Sequence, residues 1–220
     1  MNLFMDKNNN NIEVEKELDR AEFLNSFLEH ENLKVLVGAD FKPLFDDCFK
    51  NTIRPQSDNF KTKMLSQYGY PIEHIHFLSG DNLKNNEYKI LVQEKEVFSN
   101  HFDFKHGSCD SILNYLNFTN HFFKELESVC LKYPFEIISN SDISHIIEFM
   151  REKDADLVDK LIPAYLNHSD LKYILASLIK DKISVRNVYY ILEIIGHSMW
   201  FCRYLTIDSF IKRIKRKLKS

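Results

Sequence analysis

Leu171, Ile174, Leu175, Leu178 and Ile179 recur at i, i+3, i+4, i+7 and i+8. That spacing lines apolar side chains along one face of an α-helix. The same rhythm runs from about residue 117 almost to the end of the chain, and it constrains the fold more than any other feature. Phe122, Phe123, Leu126, Val129 and Cys130 form one stripe, and Ile143, Ile146, Ile147 and Met150 form the next. Ser141 is the expected N-cap of that second helix. Leu157, Leu161 and Ile162 follow and stop at Pro163. Ser169 is expected to cap the helix at 171–179. Ser184 is expected to open a helix carrying Val188, Ile191, Leu192 and Ile195, its oxygen taking an orphan N–H of the first turn. Leu205, Ile207, Phe210, Ile211, Ile214 and Leu218 line a last amphipathic segment at 205–219. The second half therefore reads as short packed helices.

The first half changes period. Residues 1–11 include a polar tract at Asn8–Asn11 with nothing to bury. Val14, Leu18, Ala21, Phe23, Leu24, Phe27 and Leu28 fit a short amphipathic helix within 12–30. Leu33, Val35 and Val37 then alternate with Lys34 and Leu36, as a strand does, and Gly38 ends the run. A helix is expected between Pro55, near its start, and Gly69, at its end, with Phe60, Met64, Leu65 and Tyr68 as its apolar residues. An extended segment after Pro71, a loop at Gly80, Asp81 and Asn82, and a strand from Tyr88 to Gln93 complete a small unit. Val97 and Phe98 would close a hairpin. The fold class is therefore α+β, mostly helical, with a small α/β N-terminal subdomain followed by a multi-helix subdomain. The expected divisions are a polar tail and short helix at 1–30, the α/β part at 31–100, and a connector without clear period at 101–120. A helical part at 121–200 and a basic helix at 201–220 follow.

Only 5 glycines occur in 220 residues, and neither a G-x-G-x-x-G nor a Walker pattern is present, which argues against a nucleotide-driven enzyme. No apolar run approaches the ~20 residues that cross a bilayer. The polar, acidic N-terminus is the reverse of a secretory signal, so a cytoplasmic location is expected. The cysteines at 48, 109, 130 and 202 form no C-x-x-C pair and are expected to be free thiols. His101, His106, Cys109 and His121 supply zinc-ligand chemistry, but their spacing fits no compact zinc knuckle, and His74 and His76 have no third ligand. No local signature supports a Cys–His nucleophile. Asp154, Asp156 and Asp159 read as a solvated helix start, favourable to the dipole. No enzymatic site, metal or cofactor is expected.

Lys212, Arg213, Lys215, Arg216, Lys217 and Lys219 crowd into the last nine residues, which contain no acid. The other 211 residues thus carry −9 against −3 for the whole chain. Such a tail suits a solvated helix end, an anionic membrane surface or, least, nucleic acid, which the acidic body would repel.

Two stretches go beyond pattern. In 171–195, LKYILASLIKDKISVRNVYYILEII, the run Ile183, Ser184, Val185, Arg186, Asn187 and then Ile191, Leu192 and Glu193 resembles the signature of the FlhA/InvA-type export gates of flagellar and virulence type III secretion systems. Leu161, Ile162 and Pro163 resemble that family's L-V-P step. In 67–98, the residues Gly69, Pro71, Asp81, Asn82, Leu83, Asn86, Glu87, Tyr88, Ile90 and Leu91 are similar to its second conserved stretch, in the same order along the chain. The resemblance implies a non-enzymatic component of protein export, acting by protein–protein contact as an accessory, regulator or degenerate paralogue. It implies secretion-apparatus proteins as partners, export chaperones or substrates among them, and a homo-oligomeric ring, at most peripheral to the inner membrane. The family's membrane part has no counterpart here, and the interval between Phe98 and Phe122 is too short for its second subdomain. Its chaperone cleft lies between the first and second subdomains. The end of the chain is expected to fall near the start of the family's fourth subdomain. The competing expectation is a basic-tailed helical module that binds nucleic acid or an anionic membrane surface.

Arg186 is expected in the first turn of its helix, where the dipole disfavours a cation. It therefore calls for a partner: Asp181 or Glu193 within the chain, in preference to a neighbouring subunit.

Overall fold

Leu33, Val35 and Val37 turn one face of the first strand into the core while Lys34 and Leu36 sit half-buried on the other, and this alternation makes the segment a strand. A computed structural model describes residues 32–44, 47–72, 74–104, 111–201 and 206–219. The expected tail and helix at 1–30, and Cys48, His106, Cys109 and Cys202, lie outside the residues whose side chains are described. Strand β1 (Leu33–Val37) is central in a four-stranded sheet of order β2-β1-β3-β4. It pairs in parallel with β2 (His76–Ser79) and antiparallel with β3 (Glu87–Val92). Strand β4 (Lys95–His101) completes a hairpin with β3. Gln93 and Glu94, at φ 48° and 64°, make its two-residue turn. Two left-handed residues give the turn a twist that matches the strands.

Between β1 and β2 run a 3-10 turn (Ala39–Leu44) and helix α1 (Asp47–Tyr68). Pro55 lies inside α1 and not near its start, because the helix begins at Asp47. Helix α2 (Ser111–Lys132) begins earlier than its apolar pattern announced. Asn114 and Thr119 are buried, and Thr119 Oγ1 donates back to the Leu116 carbonyl at 3.0 Å. These polar residues on the inner face interrupt the stripe in the sequence.

A four-residue turn of helix, α3 (Pro134–Ile137), leads to α4 (Asn140–Lys153), α5 (Ala155–Leu161), α6 (His168–Lys180), α7 (Val188–Phe201) and α8 (Ile207–Lys219). The observed caps differ from the expected serines for one physical reason. Ser139, not Ser141, caps α4: its Oγ accepts from Asp142 N at 2.9 Å, while the Asp142 carboxylate accepts from Ser139 N at 2.6 Å. Asn167, not Ser169, caps α6 in the same reciprocal way with Asp170. A capping box needs a carboxylate or amide side chain three residues on, as Asp142 and Asp170 supply. Ser141 and Ser169 have Ser144 and Lys172 there. Asp154 caps α5, accepting from Leu157 N at 2.9 Å.

The core is continuous. Tyr88 on β3 is fully buried and meets Phe41, Phe98, Phe118 and Phe122 at ring-centroid distances of 5.4–6.3 Å. Its phenol donates to the Glu125 carboxylate, which also accepts from Asn100 Nδ2 at 2.9 Å and meets His121 Nε2 at 3.1 Å. Helix α2 thus covers the sheet with its aromatic face. The described residues between 32 and 219 form one compact unit. Among the described residues, no helix is long and apolar enough to cross a membrane.

Three buried acids of the weak kind shape the alkaline behaviour. Burial, and then Cys130, Asp142 and Glu136, push the Tyr70 phenol well up from 10.0. Burial, and then the bond to Glu125, push up that of Tyr88. Burial pushes the Cys130 thiol up from 9.0. A group whose pKa is raised by folding contributes stability that is complete below its unfolded pKa and lost as pH rises through the folded one. The protein should therefore keep its stability to about pH 9 and lose it steeply above pH 10. Tyr70→Phe should flatten that loss and change stability at pH 7 by less than about 1 kcal/mol. Urea titrations at pH 7 and pH 10.5 read both effects, and an unchanged alkaline slope would remove Tyr70 from the account.

Candidate functional site

The loop between α6 and α7 is built by alternation. Ile183 and Val185 are buried, while Ser184, Arg186 and Asn187 are exposed. Helix α6 ends with Lys182 in the left-handed region at φ 58°. Lys182 N donates to the Ile179 carbonyl at 2.8 Å and Ile183 N to that of Leu178 at 2.9 Å, the paired bonds of a Schellman ending. Val185 N then donates to the carbonyl of Tyr68, the last residue of α1, at 2.7 Å. Gly69 follows at φ +69°, so close to the loop that a Cβ there would stand 2.5 Å from Arg186 N and 2.8 Å from Arg186 Cα. This extended seam delays the start of α7 to Val188. Asn187, not Ser184, caps it by accepting from Tyr190 N at 3.1 Å, while Ser184 Oγ only accepts from Arg186 N at 3.4 Å.

Arg186 therefore precedes its helix instead of sitting in the first turn, and neither expected partner holds it. Asp181 pairs with Lys215 Nζ at 2.6 Å. Glu193 makes no ion pair with Arg186 among the described residues. Among the described residues Arg186 makes no ion pair and stays exposed. It stands at the rim of a groove of about 620 Å³ between the end of α1, helix α4 and residues 185–189. Ile146, Met150 and Val188 give the groove an apolar lining. Leu65 and Phe149 border it at 54% and 55% exposure, high values for residues of that size. Lys153 Nζ lies 4.4 Å from the Phe149 ring centroid. Tyr189 donates to Asp154 Oδ2 at 3.1 Å, so the α5 cap also anchors α7 beside the groove. That bond, followed by burial, raises the Tyr189 phenol. An exposed cation next to uncovered large apolar side chains is the chemistry of a protein contact.

The other residues singled out in the sequence lie elsewhere. Asp81 and Asn82 sit in the exposed turn between β2 and β3. Tyr88 is in the aromatic core, and Glu193 is half-buried on α7. Lys215 is engaged with Asp181, and Lys212 is exposed on α8. Arg213, Arg216 and Lys217 line a second groove, of about 750 Å³, between α7 and α8. The Lys219 side chain lies outside the described residues. His101 is exposed on β4 and His121 is engaged with Glu125. Among the described residues no three His, Cys, Asp or Glu side chains converge on a metal position.

Leu65, expected among the apolar residues of its helix, lies instead at the surface, and Phe149, next to the buried Met150, carries no sequence signal that marks it as exposed.

The sequence model of the FHIPEP family matches residues 111–219. No curated protein matches the chain. Among solved structures, the Shigella flexneri MxiA protein superposes with a TM-score of 0.63 at 16% identity, covering 84% of this chain and 62% of that one. CdsV in complex with CdsO from Chlamydia pneumoniae gives 0.61 at 16% identity, with 84% and 64% covered. Nonameric SctV-C of enteropathogenic Escherichia coli (EPEC) gives 0.62 at 14% identity, again with 84% and 64% covered. The chain thus spans somewhat under two thirds of the length of the structures whose fold it shares.

Proposed function

We propose, on the premise that this chain belongs to the FHIPEP family through residues 111–219, that it is a component of a type III secretion apparatus. It works by protein–protein contact, without enzymatic chemistry, in the cytoplasm beside the export gate. It serves there as an accessory or regulatory relative of the gate's cytosolic part. The observation that supports this reading most directly lies within the matched segment. The seam at 183–187 presents Arg186, uncompensated, beside the exposed Leu65 and Phe149. Relatives in this fold form a nonamer and a complex with CdsO. By analogy, the Arg186 groove is a contact with a secretion-apparatus protein or with a neighbouring copy in a ring.

Affinity capture of the tagged full chain from its host should recover secretion-apparatus proteins, and Arg186→Glu combined with Phe149→Ala should reduce that recovery severalfold. Recovery of none, or recovery indifferent to both changes, would count against the reading. Ring formation is tested separately by light scattering at high concentration, where a monomer alone would remove it.

A further inference from the structure

At about 100° per residue, Arg213, Arg216 and Lys217 fall on one flank of α8, at i, i+3 and i+4. The neighbouring face carries the buried Phe210, Ile211 and Ile214 and packs against α6 and α7. Arg213 is half-buried, and Arg216 and Lys217 are exposed beside it on the same flank. They form one wall of the α7–α8 groove, whose other wall is Tyr190, Glu193, Ile194, His197 and Ser198. Ile194 is buried and Tyr190 half-buried, which makes the groove apolar at depth and basic at its lip.

We propose that this groove is a docking slot for an acidic amphipathic helix of a partner protein. Charge complementarity selects the occupant. Arg213 and Arg216 make no ion pair among the described residues, and Glu193 is the one carboxylate of the groove lining. A helix with carboxylates at i and i+3 matches the spacing of Arg213 and Arg216, and its apolar residues reach Ile194 and Tyr190. Nucleic acid and a membrane surface fit less well. Both present phosphates over a wide area, whereas the basic surface here is narrow. Lys215, on the opposite flank, is already neutralised by Asp181.

The test uses the full 220-residue chain and a fluorescein-labelled peptide of about 15 residues, long enough to populate a helix. One face of the peptide carries Leu and Glu at i, i+3 and i+4. Anisotropy titrations at 150 mM salt should show saturable binding. The Arg213→Glu/Arg216→Glu variant should weaken it by about tenfold or more, and Lys212→Glu, a charge reversal outside the groove, by less than about threefold. Circular dichroism verifies that each variant is folded. Absence of peptide binding, equal loss with Lys212→Glu, or tighter binding of duplex DNA or phosphatidylglycerol vesicles in the same buffer would each overturn the proposal. Because capture through the Arg186 groove is measured with different variants, either idea can fail alone.

Discussion

Gly69→Ala should destabilise the protein by about 3 kcal/mol, lowering the melting temperature by roughly 6–12 °C for a chain of this size. Two independent costs meet at this position. An L-residue at φ +69° is strained, and the new Cβ would stand 2.5 Å from Arg186 N, which belongs to backbone and cannot rotate away. The loop would have to lift, which breaks the 2.7 Å bond from Val185 N to the Tyr68 carbonyl. The loss should therefore extend to whatever the Arg186 groove binds. Gly196→Ala supplies the sign control. It lies inside α7 with its nearest foreign atom, Leu157 Cδ1, at 3.8 Å. There the added methyl finds ordinary contact and the helix loses a flexible residue, so stability should rise by about 0.5–1 kcal/mol. Thermal melts of both variants decide the matter. Equal effects would mean that the seam does not hold Gly69 as described.

Tyr88→Ala is the second large effect, a loss of about 3–5 kcal/mol. The ring is fully buried and is the meeting point of four other aromatic rings, one from the 3-10 turn, one from β4 and two from α2. Its removal leaves a cavity that the sheet and helix cannot both close. Tyr88→Phe isolates the hydroxyl and should cost about 1–2 kcal/mol, because Glu125 keeps Asn100 and His121 but loses its phenol donor. The difference between the two variants in urea titrations measures the ring. A Phe variant as damaged as the Ala variant would shift the weight from packing to the Glu125 network.

Helices α4 to α8 were legible because their stripes are uninterrupted, and β1, β3 and β4 because they alternate or pair through a short turn. Their boundaries were less legible. Ser139 and Ser141, or Asn167 and Ser169, are equivalent cap residues until the reciprocal partner at the third position is weighed. Arg186 shows where sequence stops. Two acids lie close to Arg186 in the chain, yet Asp181 is taken by Lys215 from another helix and Glu193 lines the groove between α7 and α8. Only tertiary placement decides such a competition. The basic tail is similar: composition marks it as a charged end, whereas helical phase divides it into a wall of a groove, an ion pair and a solvent-facing lysine.

The order β2-β1-β3-β4 has a consequence for a chain made from its N-terminus onward. The central strand is synthesised first, and both of its neighbours come later, β2 after a 22-residue helix and β3 after that. Tyr88, which pairs with Val37 across the sheet, then waits for Phe118 and Phe122 of α2. During translation Leu33, Val35 and Val37 are therefore an apolar edge without a partner until the ribosome has passed the first half of the protein. The folding rate of this unit is set by long-range closure more than by its abundant helices.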